Sequence, residues 1–302
     1  MRQRLCELLI ERANDPKFVF LTGDVGFGLL EPLRDALGER FINAGVAEQN
    51  MVGVAAGMSA KGLDAWVYSI APFVYARPFE QIRNDLAFHG LPVKLVGNGG
   101  GYAYGVQGPT HHAIEDYGVL LTLPTMSAFI PVFDADLGAV VDRAGSSSTP
   151  VYIRLGRDER PESFDPPTYA PWRQLTDGGG SVVAVAGPLA GTYLADLATL
   201  PEVDRPKLWA VSELPIERNP PPADLLDQIE ASGAVVAVEE HVRQGGFGVD
   251  LLAHLIDTGI TLRAFQHLHA RQHNYGRYGS QSYLRRLSGL DPTSLLAIAT
   301  DC

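Results

Sequence analysis

Glu48 stands alone in the stretch Phe41-Ile42-Asn43-Ala44-Gly45-Val46-Ala47-Glu48-Gln49-Asn50, with no Lys or Arg within four residues to pair with it. A short strand runs into Gly45, and a helix of small residues, Met51 to Lys61, leaves it. A carboxyl placed there can trade a proton with a bound group if it is buried. An acid in a first helical turn also suits the positive helix end, so this window alone leaves both readings open. A second proton-active group follows a glycine-dense run, Gly97-Asn98-Gly99-Gly100-Gly101-Tyr102-Ala103-Tyr104-Gly105, in Gln107-Gly108-Pro109-Thr110-His111-His112. Gly-Pro fixes a tight turn that presents His111, whose imidazole exchanges protons near neutral pH. Metal binding is disfavoured there, because adjacent histidines do not point the same way. Aromatics and two prolines crowd Ile70-Ala71-Pro72-Phe73-Val74-Tyr75-Ala76-Arg77-Pro78-Phe79. They form either core or a stacking wall for a planar heterocycle.

Other candidates carry less. Gly23-Asp24-Val25-Gly26-Phe27-Gly28 joins a strand to a helix but lacks the G-x-G-x-x-G spacing of a dinucleotide loop, and no P-loop occurs in the chain. Glu239-Glu240-His241 follows an apolar strand. Neighbouring strand residues face opposite ways, which points to a structural or interface role. Histidines 267, 269 and 273 receive no role.

The elements that would position these groups alternate. Helical spacing over Leu5 to Ala13, the apolar run Phe18-Val19-Phe20-Leu21, a helix over Leu29 to Leu37, a strand over Ala65 to Ile70, a helix from Pro78 to His89 and strands at Val93 to Val96, Thr125 to Ile130 and Val151 to Leu155 spell a doubly wound parallel sheet. A Pro-rich polar segment and three glycines at 178–180 follow. The rhythm then restarts with strands over Ser181 to Ala186, Lys207 to Val211 and Ala234 to Val238, and helices near Leu189 to Leu200 and Asp224 to Ala231. The expected fold class is therefore α/β, with two doubly wound sheet domains: residues 1–160, a linker at 161–180, and a smaller domain at 181–302.

The whole chain narrows the function classes. Its 302 residues suffice for two cored domains, and 46% hydrophobic with 20% charged residues is ordinary for a globular protein. A net charge of −11 argues against nucleic acid as a partner. Cys6 and Cys302, at opposite ends, make no disulfide framework or zinc spacing. No apolar run approaches the roughly 18 residues of a membrane span, and acidic residues come too early for a signal peptide. A cytoplasmic enzyme or enzyme subunit acting on small molecules is expected.

Taken together, four ordered stretches resemble the pyrimidine-binding and C-terminal domains of the transketolase family of thiamine-diphosphate enzymes. They are Gly45-Val46-Ala47-Glu48-Gln49-Asn50, Gly108-Pro109-Thr110-His111, Tyr152-Ile153-Arg154-Leu155-Gly156-Arg157, and Glu239-Glu240-His241 with Gly245-Gly246-Phe247-Gly248. The resemblance implies that Glu48 hydrogen-bonds the aminopyrimidine ring of the cofactor and that Phe73 stacks on it, with Ile70, Val46 and Asp24 alongside. A carboxyl buried beside an apolar ring shares a proton readily with a weakly basic nitrogen. His111 would assist proton transfer at the substrate, and Gln107, Arg157, Gly99 and Tyr104 would line the substrate's place. The implied activity is transfer of a two-carbon ketol or acyl unit from a ketose or 2-oxo acid to a carbonyl acceptor.

Departures from the family pattern sharpen these expectations. The domain that binds diphosphate and Mg²⁺ is missing; Gly23-Asp24 with Asn50 only loosely mimics its motif, since Val25 replaces the second glycine and Met51 follows Asn50. The resemblance therefore implies a split enzyme: this chain supplies no metal ligand, and an N-terminal partner subunit holds diphosphate and Mg²⁺. The expected assembly is an α2β2 heterotetramer in which this chain self-dimerises. Gln107 stands where sugar transketolases have Asp, and the family's phosphate-binding Ser and His fall at Gly28 and Gly99. Arg157 and Arg2 remain to meet an anion. A specialised sugar, an unphosphorylated carbonyl compound and a pyruvate-derived acyl transfer stay open. So do a 2-oxo-acid dehydrogenase β subunit feeding a lipoyl carrier and an acyloin condensation like that of 1-deoxyxylulose-5-phosphate synthase.

Overall fold

The computed structural model describes residues 1–273, 276 and 279–301, so Cys302 lies outside the described residues. Among the described residues, twelve strands form two sheets. The first is built from β1 (Phe18–Thr22), β2 (Phe41–Asn43), β3 (Asp64–Ile70), β4 (Lys94–Asn98), β5 (Ser127–Phe129) and β6 (Val151–Leu155). The second takes β7 (Trp172–Gln174), β8 (Val182–Ala186) and β9 (Lys207–Val211), while β10 (Glu213–Leu214) returns to the first. β11 (Ala234–Glu239) and β12 (Ala264–His269) complete the second sheet.

The first sheet runs β10-β5-β6-β4-β3-β1-β2, parallel except for the β10 edge. The second runs β12-β11-β8-β9-β7, parallel except for β7. Both are covered on two faces, which is why their strands read as unbroken apolar runs. In β1, Val19 and Leu21 enter one core layer, and Phe18 and Phe20 the other. The first layer holds the helix Glu48–Ala60, and the second holds Arg2–Glu11, Glu31–Leu37 and Leu137–Gly145. Each fully buried Phe or Leu contributes roughly 1.5–3 kcal/mol of transfer free energy.

Three features differ from the sequence expectation. The aromatic turn is itself a helical turn, Ala71–Tyr75. The helix expected over Pro78 to His89 divides into a short α segment, Phe79–Gln81, and a wider π-helical stretch, Ile82–Ala87; such bulges carry no sequence periodicity of their own. Within the Pro-rich segment, β7 pairs antiparallel with β9 because Trp172 is buried against Phe247, ring centroids 5.8 Å apart.

Buried charge stitches the two sheets together. Arg154, at the end of β6, sends Nε to Asp116 Oδ2 at 2.7 Å and Nη2 to the carbonyls of Ala113 and Glu240, both at 2.9 Å. Glu240 accepts from the Tyr102 amide at 2.6 Å and from Arg285 Nε at 2.7 Å. Glycine is required where backbone meets these side chains: a Cβ on Gly100 would stand 2.4 Å from Arg154 Nε, and one on Gly101 2.7 Å from Glu240 Oε1. Removing one partner from a buried pair strands the other, at a cost of about 3–5 kcal/mol. Arg154→Met should therefore lose about that much stability in a urea titration, while Arg34→Ala, whose pair with Asp35 is exposed, leaves the midpoint unchanged.

Candidate active site

Parallel sheets bind ligands beyond the carboxyl ends of their strands, and the sequence candidates of the first domain gather there. Asp24 follows β1, Val46 and Glu48 follow β2, and Ile70 and Phe73 end and follow β3. Gly99, Tyr104, Gln107 and His111 follow β4, and Arg157 follows β6.

Glu48 is the first residue of its helix, and the buried face Glu48, Met51, Val52, Ala55, Ala56 and Ser59 keeps helical spacing against the sheet. Small residues let that helix approach closely and carry the carboxyl down with it, to 4% exposure. The acid thus suits the helix end electrostatically and is buried as well. It is not alone in space. Arg77 Nη1 donates to Glu48 Oε1 at 2.6 Å, and the same guanidinium lies over the Phe73 ring, its Cζ 3.7 Å from the centroid. Glu48, Val46 and Arg77 border an open depression of about 520 Å³ that also touches Ala47, Gln49 and Asn50.

From Phe73 the contacts continue to His111, ring centroids 5.2 Å apart, and from His111 to Tyr104 at 6.1 Å. Thr110 Oγ1 lies 2.9 Å from His111 Nδ1 and helps set the ring's orientation. Burial, and then the positive charge of Arg77, hold the His111 pKa below the ordinary value of 6.5, so the imidazole stays neutral at physiological pH. Tyr104 accepts from Asn98 Nδ2 at 2.5 Å, and its ring packs over Gly99. Beside it, a hollow of about 360 Å³ is lined by Met1, Arg2, Asn98, Gly99, Ala103, Tyr104, Gly156 and Arg157. Its two arginines stand among side chains that carry no charge. Gln107 is exposed and is not among the residues that line this hollow.

Asp24 takes another position. It is exposed, adopts φ of 58°, and its carboxylate accepts from Asn43 Nδ2 at 2.9 Å. Glu239 and Glu240 are buried and spend their oxygens inside the protein, Glu239 on Tyr117, His267 and the amides of Phe247 and Gly248. His267 and His269 lie on β12, and His273 Nε2 meets Glu115 Oε1 at 2.5 Å. Among the described residues, no group of three or more His, Cys, Asp or Glu side chains is arranged to hold a metal ion. None of the described helices is long and apolar enough to cross a membrane.

Arg77 is the functional neighbour that sequence reading passed over. No Lys or Arg lies within four residues of Glu48; the pair joins segments that follow different strands, 29 residues apart. The available signal was a lone cation inside an aromatic turn that a parallel sheet would bring to the same edge.

A buried acid and an aromatic ring are joined by one guanidinium at the carboxyl edge of the first of two mostly parallel sheets, in an α/β protein. The pattern of the transketolase pyrimidine binding domain matches residues 7–162, and the chain belongs to the transketolase family. It is 30% identical over 270 residues to the B subunit of apulose-4-phosphate transketolase from Phocaeicola vulgatus, covering 87% of this chain and 85% of that one. It is 35% identical over 202 residues to the 6-deoxy-6-sulfo-D-fructose transketolase subunit SqwH of a Clostridium species, covering 64% and 62% of the two chains. A solved split-gene transketolase, described as an inactive β4 tetramer, superposes with a TM-score of 0.82 at 30% identity, over 99% of this chain and 97% of that one.

The electrostatics can be checked directly. Because the fold favours the neutral imidazole, His111 contributes stability that is present above pH 6.5 and lost as pH falls below it. In NMR titrations the His111 C2–H midpoint should fall below 6.5 and move upward in Arg77→Gln, which removes the cationic contribution. An unchanged midpoint in that variant would remove Arg77 from the electrostatics of His111.

Proposed function

We propose that this chain is the pyrimidine-holding subunit of a split, thiamine-diphosphate-dependent transketolase, and that it transfers a two-carbon unit once joined to an N-terminal partner. The observation that carries the reading is Glu48: a carboxylate at 4% exposure that bonds a planar N–H donor lying on Phe73. A site that already accepts a flat nitrogen cation between acid and ring suits an aminopyrimidine. Glu48 binds and orients that ring and holds the proton exchanged with its nitrogen; Phe73 supplies the stacking face, with Ile70 and Val46 at its border. Thiamine diphosphate, held against Glu48 and Phe73, would supply the chemistry of two-carbon transfer.

Substrate recognition falls to the neighbouring surface. His111, neutral and in ring contact with Phe73, takes or returns a proton at a substrate hydroxyl or carbonyl. Tyr104 and Gly99 shape the hollow beyond it, in which Arg2 and Arg157 fit an anionic end of the acceptor. Gln107 offers a neutral amide for a substrate hydroxyl. Asp24 lies at the cofactor side, where its link to Asn43 keeps the loop after β1 beside Gly45. Diphosphate and Mg²⁺ are assigned to the partner, in an α2β2 assembly. The similarity to the corresponding subunits of split transketolases supports this division, and the −11 charge and α/β core suit an enzyme of the cytoplasm.

Reconstitution with the partner, thiamine diphosphate and Mg²⁺ tests the reading. Glu48→Gln should lower turnover by about 10²–10⁴-fold, the usual worth of a positioned acid–base group. Full turnover in that variant, across ketose and 2-oxo-acid donors, would overturn the assignment. Arg157→Ala should raise KM for a phosphorylated or sulfonated acceptor and leave KM for a neutral aldehyde unchanged. Equal effects on both acceptors would move the anion subsite elsewhere.

A further inference from the structure

We infer that Arg77 is a displaceable plug: its guanidinium occupies the place of the cofactor's aminopyrimidine ring and is driven out when that ring binds. The inference rests on the reading of Glu48 and Phe73 given under Proposed function. It adds a residue and a step which that reading does not require.

The guanidinium makes both contacts expected of the ring. Arg77 Nη1 donates to Glu48 Oε1 at 2.6 Å, and Cζ lies 3.7 Å above the Phe73 centroid. That second distance is ordinary stacking separation, so a second planar group has no room on the same ring face. Guanidinium and aminopyrimidine are alike in the features that count here: both are flat, and both present in-plane N–H donors to a carboxylate. Arg77 and the ring therefore compete for one acceptor and one aromatic surface.

Arg77 is also free to leave. Its side chain is 42% exposed, against 4% for Glu48. Among the described residues, its hydrogen bond is to Glu48 alone. It borders the open depression beside Val46 and Gln49. Withdrawal into that space needs rotation of one long side chain and no backbone rearrangement. The plug serves the chain while no cofactor is present, because a buried carboxylate without a counter-charge is strongly unfavourable. The same contact keeps Glu48 engaged and unable to exchange protons. If the plugged form holds about nine-tenths of the population, the apparent dissociation constant for cofactor is about tenfold above the intrinsic one.

The test measures binding as well as rate. In the two-subunit enzyme, thiamine diphosphate with Mg²⁺ is titrated by calorimetry, and thiamine alone is titrated against the isolated chain. Arg77→Ala and Arg77→Met should each lower the dissociation constant about tenfold. Arg77→Lys, which keeps the charge but not the plane, should fall between. Both variants are at a half-exposed position, and the Met variant keeps bulk on Phe73 should the Ala variant assemble poorly. Unchanged or weaker cofactor binding in both variants would overturn the plug. So would a fall in saturated turnover with binding unchanged, which would make Arg77 a partner of the bound cofactor. Glu48→Gln separates the two levels: its full activity would sink the site reading itself, whereas an inactive Glu48→Gln beside unaltered Arg77 variants would sink only the plug.

Discussion

Arg154 is the charge on which the arrangement of both domains depends. It is buried at the carboxyl end of β6, where Asp116, the carbonyls of Ala113 and Glu240, and the face of Tyr117 surround it. Burial opposes its charge, but Asp116, Tyr117 and Tyr152 together more than offset that, and its pKa stands above the ordinary arginine value. An isolated cation there would be intolerable; a fully paired one specifies geometry, because each ligand must sit at a fixed distance and angle. Ala113 lies two residues beyond His111, and Glu240 belongs to the loop that leaves β11. One guanidinium thereby sets the height of the histidine loop and the docking of the second sheet. Glycines 100 and 101 complete the device by letting backbone pass where Arg154 and Glu240 project.

A second arginine, Arg77, works under the opposite constraint. Arg154 is buried and spends Nε and Nη2 on three protein acceptors, whereas Arg77, among the described residues, bonds one protein acceptor and is 42% exposed. The first pair is rigid because breaking it leaves buried charge on both sides; the second can be exchanged for any group that satisfies Glu48 equally well. Placing a fixed pair and an exchangeable pair on the same sheet edge gives a site that is pre-shaped by the one and admits a ligand through the other. The dependence of His111 on Arg77 follows from this arrangement, since the cation that holds Glu48 also disfavours a protonated imidazole.

Much of this was legible in the chain. Apolar runs of four to six residues, separated by helical spacing, specify buried parallel strands, and β1, β6, β8 and β11 lie where those runs stand. The edge of the sheet then collects Glu48, Phe73 and His111 by topology alone, since every loop after a parallel strand emerges on one side. What periodicity cannot convey is contact between separate loops. The Glu48–Arg77 pair is such a contact, and so is the fate of the glycine-dense run, which reads equally as a ligand cradle and proves to be packed beneath Tyr152, Tyr104, Arg154 and Glu240. Short pieces escaped for a related reason. β7 and the two-residue β10 are held by Trp172 and Glu213 through tertiary contacts, Glu213 by Arg143 and Tyr169, and nothing in their local pattern marks a strand.

The site has an asymmetry that bears on assembly. Its acid, ring and imidazole are linked through Arg77 and Phe73 at one sheet edge, and exposed Phe27, Val46 and Val106 stand in the loops that follow β1, β2 and β4 at the same edge. Apolar side chains so exposed beside a polar site are costly to keep in water unless another surface covers them. A cofactor with a flat base at one end and a charged diphosphate at the other needs two unlike half-sites: a low-dielectric wall with a proton acceptor, and a cluster of cations or metal ligands. On the function proposed above, this chain supplies the first. On the same reading, the second half-site belongs to the partner subunit, and activity depends on association.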